Sequence, residues 1–511
     1  MIPKAIPYVT LLLLAVGWTS TDAVAENSIS ELGATGDEFQ VNTTTTDSQG
    51  QPTVAAEADG DFVVVWGSSA SAGTDSDGAS VQAQRYASDG SPQGGELQVN
   101  TYTTGSQRRG VVAFGADGNF VVVWDSDGSA GTDTSSLSIQ ARRYASDGSP
   151  SGDQFQVNTY TTLIQNFPQI AADADGDFVV IWNSLGSTGA DVGSFSVQGQ
   201  RYASDGSALG DQFQVNSYTT NTQFTADVDA EADGDFVVVW QSYGSADTDS
   251  SGFSVQGQRF ASDGSPRGGE FQVNTYTTGN QGTPSVAVES DGAFVVVWDS
   301  EGSSGSDATD HSVQGQRYAS DGSAIGDQFQ VNSYTTSRQV KPTVAWDDAG
   351  TFMVTWESGY DSLSENGPDG SDESIQGQRY AADGSAVGDE FQINSYTTET
   401  QETPQVAGSG QGDGVQATRM PVAEFEANWA YIVVGALAWN LKSWTALMLP
   451  DRFGACWLLN MEFRTFPDEV MLVPTQILRS GRRLIYRVLS INRWTPLLLD
   501  GTRYLRRMKP V

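Results

Sequence analysis

Apolar and polar positions follow a 58-residue cycle from residue 37 to residue 400. The run Asp61-Phe62-Val63-Val64-Val65-Trp66 returns with small changes, ending at Trp124, Trp182, Trp240, Trp298 and Trp356. Five consecutive apolar, β-prone residues predict a strand buried on both faces. Ahead of it, a short segment such as Thr53–Ala56 runs into Asp59-Gly60, where glycine accepts the positive φ of a tight hairpin. A Ser-, Gly-, Asp- and Thr-rich loop follows, then a third strand over Ser80–Tyr86 closed by Asp89-Gly90. Leu97 and Val99 alternate with Gln98 and Asn100, which predicts a half-buried fourth strand.

Six copies are complete and a seventh begins at Gly388. A unit of this size cannot bury its own apolar face, so neighbouring units must supply the core. Four antiparallel strands per unit, repeated six or seven times, predict a mostly β chain with a β-propeller-like array of six complete repeats plus a truncated seventh. The β-solenoid and the stacked β-sandwich are the rivals, and the second needs roughly 100 residues per unit. Phe39–Asn42 precedes every complete unit and fits as the fourth strand of the last one, which would join the two ends of the array. Residues 408–414 carry no apolar strand and no Trp, so the seventh unit is cut off partway. Repeats of the type EFQVNTYTTG…DGDFVVVW…SVQGQRYASDGS resemble those of large secreted and surface proteins of bacteria. That resemblance implies an exported, non-catalytic role.

Composition divides the chain in two. Residues 1–410 hold 13 Lys and Arg against 55 Asp and Glu, whereas residues 411–511 hold 13 against 8. An acidic surface of that kind excludes specific nucleic-acid binding by the repeats, because phosphate contact needs clustered cations. One cysteine, Cys456, excludes an internal disulfide framework, and one histidine, His311, excludes multi-histidine metal sites. Residues 1–25 read as a secretory signal peptide: Lys4, an apolar run from Tyr8 to Trp18, and the Ala23-Val24-Ala25 cleavage pattern. The expected location is therefore outside the cell or on its surface.

The expected order is a signal peptide (1–25), a linker (26–36), the repeat domain (37–407), a junction (408–414) and an α-helical tail (415–511). Helices are expected over Phe425–Leu449, Cys456–Phe466 and from Thr475 to about Ile491. Ala430–Leu449 is long enough to span a bilayer, but Asn440 and Lys442 would be costly there, so insertion is not expected. Val415–Val422, Asn428–Tyr431, Leu437–Lys442, Met461–Phe466 and Arg479–Arg487 stand in order and resemble the carboxyl end of bacterial insertion-sequence DDE transposases. The resemblance implies a fragment of an RNase H-like enzyme whose catalytic carboxylates lie upstream of what is kept here. No catalytic residue carries over, and Arg479, Arg482, Arg483 and Arg487 offer only weak DNA contact.

Asp173, Asp175 and Asp177 are the calcium candidates, since alternate carboxylates around a glycine turn offer several oxygen ligands. Asp59 with Asp61 and Asp233 with Asp235 repeat the idea, although Asp-Gly is also what a hairpin needs. Aspartates of the long loops, Asp125, Asp127 and Asp133 among them, are expected at a solvated rim. His311 is expected in a variable loop, the Trp series in the core, and the Arg85 series either bridging blades or paired with a nearby Asp. The leading expectation is a non-catalytic, acidic binding or scaffold protein with an extracellular ligand, either a polysaccharide or a surface protein, and no cofactor beyond calcium. The alternatives are DNA transposition through the tail, or a propeller enzyme acting on polysaccharide. The latter needs one copy to carry channel acids that the others lack, and no copy stands out in this reading.

Overall fold

A computed structural model describes residues 38–408, apart from short loop segments, and two further strands at Thr475–Ser480 and Arg483–Val488. Six four-stranded antiparallel sheets follow one another, each with its strands in chain order. In blade one the strands are Gln49–Ala56, Phe62–Ser68, Ser80–Tyr86 and Leu97–Gln98. In blade four they are Gln223–Ala230, Phe236–Tyr243, Phe253–Phe260 and Phe271–Gln272. First strands of successive blades are neighbours, so they surround the central channel, and the fourth strands form the rim. The fold is a β-propeller with six complete blades.

Alternation along the second strand builds the core between blades. Phe120, Val122, Trp124 and Tyr144 of blade two pack against Val63, Val65, Val81, Ala83 and Val99 of blade one. The opposite face of blade two, with Val121, Val123, Ile139 and Ala141, meets Phe178, Val180, Trp182 and Tyr202 of blade three. A Phe stacks on a Tyr in five blades, as Phe120 does on Tyr144 at 4.9 Å, and on Phe260 in blade four. Every repeated Trp is buried, so the tryptophans are packing residues as expected.

Polar residues of the repeat are also internal. Asn100 accepts the Val81 N–H at 3.0 Å and donates to Asp75, the Tyr102 carbonyl and Gln107. Asn158 does the same with Ile139, Asp133, Tyr160 and Gln165. One asparagine thus ties the third strand, the long loop and the next blade's first strand together. This corrects the reading of the loop aspartates: Asp133 is buried on Asn158, and Asp125 is buried against Arg109 at 2.7 Å, while Asp127 is exposed. The Arg85 series does bridge blades, since Arg143, Arg201, Arg259 and Arg317 each donate to carbonyls in the next blade's turn.

The ring closes through the chain's two ends. The residues after each fourth strand bind a Glu or Gln that opens the next one: Thr101 and Tyr102 on Gln154, Ser217 and Tyr218 on Glu270. Ser395 and Tyr396 bind Glu38 in the same way, with N–H to carboxylate distances of 3.0 and 3.1 Å. Phe39 and Val41 pack on Phe62, Val64, Trp66 and Tyr86 of blade one. Phe39–Asn42 therefore stands at the rim in a fourth-strand position, but not, as expected, as the fourth strand of the last blade, because Ala386–Gln392 already fills that place. Replacing Glu38 by Ala is expected to cost about 1–2 kcal/mol, the worth of several charge-assisted hydrogen bonds at a partly exposed site. Glu38→Gln should be near neutral in the same melting experiment, because Gln154, Gln212 and Gln328 already serve at this position.

Two expectations are corrected. The helix expected from Thr475 is instead a pair of antiparallel strands, with Ile477 opposite Tyr486 and Leu478 opposite Ile485. Short apolar runs do not distinguish helix from strand, and the Ile, Tyr and Val content around Gly481 favours strands. His311 begins the third strand of blade five, His311–Tyr318, opposite Glu301, with its ring 2.9 Å from Asp310. Residues 1–37 and the helices expected over 425–449 and 456–466 lie outside the described residues.

Candidate functional site

The six blades are near copies, so a site shows itself as a departure from the repeat. The first strand of blade four, Gln223–Ala230, carries Asp227 and Asp229. At the first position the other blades have Thr53, Val111, Gln169, Ser285 and Thr343; at the second each has Ala, at 55, 113, 171, 287 and 345. Glu231, Asp233 and Asp235 continue the alternation, giving five acids at every second position. The expectation that no copy carries acids the others lack is therefore corrected. The signal was in the sequence, in the segment that varies most from copy to copy.

Ala226, Val228 and Ala230 face blade three and are buried among its core residues. Period-two alternation turns Asp227 and Asp229 the other way, toward blade five beside the channel. Asp227 accepts the Val286 N–H at 2.9 Å and Asp229 accepts the Val288 N–H at 2.8 Å. Asp229 also accepts the N–H of Ala230 at 2.9 Å. Both side chains are only partly exposed. Desolvation dominates these hydrogen bonds and pushes Asp227 up to about 6. The same desolvation, with a smaller contribution from the charge of Asp227, pushes Asp229 up to about 7. Two carboxyl groups whose proton affinity burial raises toward neutral pH thus stand side by side.

The strand continues into the turn at Glu231–Asp235. Burial and then the charges of Asp233 and Asp235 raise the proton affinity of Glu231. Ligand atoms of these three residues lie within 4.8 Å of one another. Asp235 is held by Arg267 and accepts the Ser262 N–H at 2.9 Å. The calcium candidates stand at the equivalent turn of blade three. There Asp173 accepts the N–H groups of Asp175 and Asp177 at 3.0 and 2.9 Å, and Asp177 accepts that of Ser204. A cleft of about 350 Å³ opens between the two turns, lined by Asp173, Asp175, Asp177, Arg201, Asp233 and Asp263. The described geometry brings both acidic turns to one cleft, and Asp173 acts within it as a turn cap.

No protein-family model matches the sequence, the transposase-like stretch included, and no curated protein matches it. Among solved structures, a protein of unknown function from Dyadobacter fermentans is 10% identical, with a TM-score of 0.44 over 65% of this chain and 93% of its own. An α-L-arabinanase of Penicillium chrysogenum in complex with arabinobiose is 13% identical, with a TM-score of 0.40 over 67% and 92%. A thermostable family-43 glycoside hydrolase is 15% identical, with a TM-score of 0.33 over 57% and 96%. The expectation that the chain is not an enzyme is withdrawn: it rested on carboxylates missing from the transposase-like tail, which say nothing of the repeats, and glycoside hydrolases stand among the structures that the repeats resemble. The likeness itself extends to the fold: the chain shares a β-propeller with these proteins.

Proposed function

We propose that the protein is a carbohydrate-active propeller whose acid–base groups are Asp227 and Asp229. The observation that carries this reading is the departure of one inner strand from five near copies, at two adjacent same-face positions. General acid–base catalysis works best when the group's proton affinity lies near the working pH. Burial against blade five supplies that condition here. Asp229, the more readily protonated, is the acid that protonates a leaving oxygen, and Asp227 is the base that draws a proton from water. Residues two apart on a strand are separated by about 6.7 Å.

A polysaccharide is the substrate class this reading takes, and the glycoside hydrolases of the same fold agree with it. Its setting is outside the cell, in keeping with the amino-terminal pattern of residues 1–25. The experiment is reducing-end release by the full chain from a panel of plant and microbial polysaccharides, arabinan among them. Cleavage by the native chain that falls at least a hundredfold in Asp229→Asn supports the reading. Cleavage unaffected by Asp227→Asn and Asp229→Asn, or none on any polymer, sinks it.

A further inference from the structure

Six closed blades need six rim junctions, and this ring has seven. Glu or Gln at 96, 154, 212, 270, 328 and 390 each receive the residues that follow the preceding fourth strand, and Glu38 receives Ser395 and Tyr396. Between blade six and blade one there is accordingly one further station. Its rim position is held by Phe39–Asn42, where Tyr86 donates to the Val41 carbonyl at 3.0 Å just as Tyr144 does to Val99 at 3.3 Å. Its channel position is held by residues 401–407. Asn394 donates to Gln401 at 3.2 Å, as Asn100 does to Gln107 at 3.1 Å. Thr403 takes φ 56°, matching the bulge of the complete first strands at Gln51, Arg109, Phe167, Thr225, Thr283 and Lys341.

The second and third strands of this station are missing from its described parts. Blade two's Phe120, Val122, Trp124 and Tyr144 meet five apolar residues from the strands of blade one. Their counterparts Phe62, Val64, Trp66 and Tyr86 meet only Phe39 and Val41 from the station. Asn42 reports the same gap. In all six complete blades the equivalent asparagine accepts a third-strand N–H at 2.8–3.0 Å. Among the described residues the Asn42 oxygen accepts only from Gln40, at 3.4 Å.

We propose that this station docks an antiparallel strand pair of the same repeat, carried by a separate polypeptide. Continuity with the six existing interfaces defines the occupant. It needs a Phe-Val-Val-Val-Trp strand to pair with residues 401–407 and a Ser-Val-Gln-Gly-Gln-Arg-Tyr strand to pair with Phe39–Asn42. Main-chain pairing on both edges and three valines facing blade one supply affinity and register.

The probe is a synthetic peptide of residues 291–323, the second and third strands of blade five with their loop, added to the full chain. Saturable binding and a rise in Tm are expected. A peptide carrying Val295→Asp, Val297→Asp and Val313→Asp should bind at least tenfold more weakly, and Asn42→Ala in the full chain should weaken the native peptide by about tenfold. Equal binding of the two peptides overturns the proposal. So does absence of binding, which would mean that the chain fills the station itself. A concentration-dependent dimer that the peptide cannot dissociate would put a second copy there instead, and would equally overturn it.

Discussion

Trp240→Ala is expected to destabilise the ring by about 3–5 kcal/mol, the usual cost of truncating a large buried aromatic residue. Trp240 is fully buried and packs among Val179, Ile181 and Val197 of blade three and Phe236, Val238 and Phe260 of its own blade. Both neighbouring strands are fixed by their ladders, which limits collapse into the space left by the truncation. Trp124, Trp182 and Trp298 occupy equivalent, equally buried positions and should behave alike. Trp66 is the informative comparison. Its cluster lacks the four residues that a complete preceding blade would provide, so Trp66→Ala should cost clearly less than Trp240→Ala in chemical denaturation. Equal costs at the two positions would contradict the account of the ring's incomplete station.

The second large effect is on the dependence of stability on pH. Asp227 and Asp229 hold protons more tightly in the folded chain than at the ordinary aspartate value of 3.8. Between pH of about 4 and about 7 the folded chain therefore binds protons that the unfolded chain has released. Their contribution to stability is complete below pH 4 and is lost as the pH rises through about 6 and about 7. Each tenfold change in proton affinity corresponds to about 1.4 kcal/mol. After allowance for partial exposure, the double variant Asp227→Asn/Asp229→Asn should be more stable than the native chain by about 2–4 kcal/mol at pH 8. The difference should vanish near pH 4, where the native carboxyls are protonated. A variant that gains stability at pH 8 while losing polysaccharide cleavage would show stability given up for a working site. Stability equal to the native chain at both pH values would remove the strain on which the site rests.

Much of this architecture was legible in the residues. The Val-rich run ending in Trp marked the second strand because a short run of β-branched residues bounded by turn signals favours a strand over a helix. Asp-Gly marked the hairpins, and Gly60 and Gly90 do take positive φ at those turns. The fourth-strand pattern of Phe39–Asn42 was visible as well, but its place was not: the last blade carries its own fourth strand at Ala386–Gln392. Buried polar residues were not visible. Asp133 looks like any loop aspartate until Asn158 is seen beneath it, because hydrogen bonding between residues 25 apart leaves no mark in local pattern. The pair at 227 and 229 was missed for a different reason. Attention to the recurring runs draws the eye from the first strand, whose residues vary, and variation inside a repeat is where a unique site must lie. The strands at Thr475–Ser480 and Arg483–Val488 show the remaining ambiguity, because Ile, Leu and Tyr at short spacing satisfy either period.

Carbon-13 NMR titration of the aspartate side-chain carboxyls in the full chain tests the central claim most directly. Two carboxyls should titrate near pH 6 and pH 7; Asp229→Asn should remove the higher transition, and Asp227→Asn should remove the lower one and bring that of Asp229 down slightly by deleting its charged neighbour. If every aspartate carboxyl titrates below pH of about 5, blade four holds no group poised for proton transfer at neutral pH, and the functional reading fails.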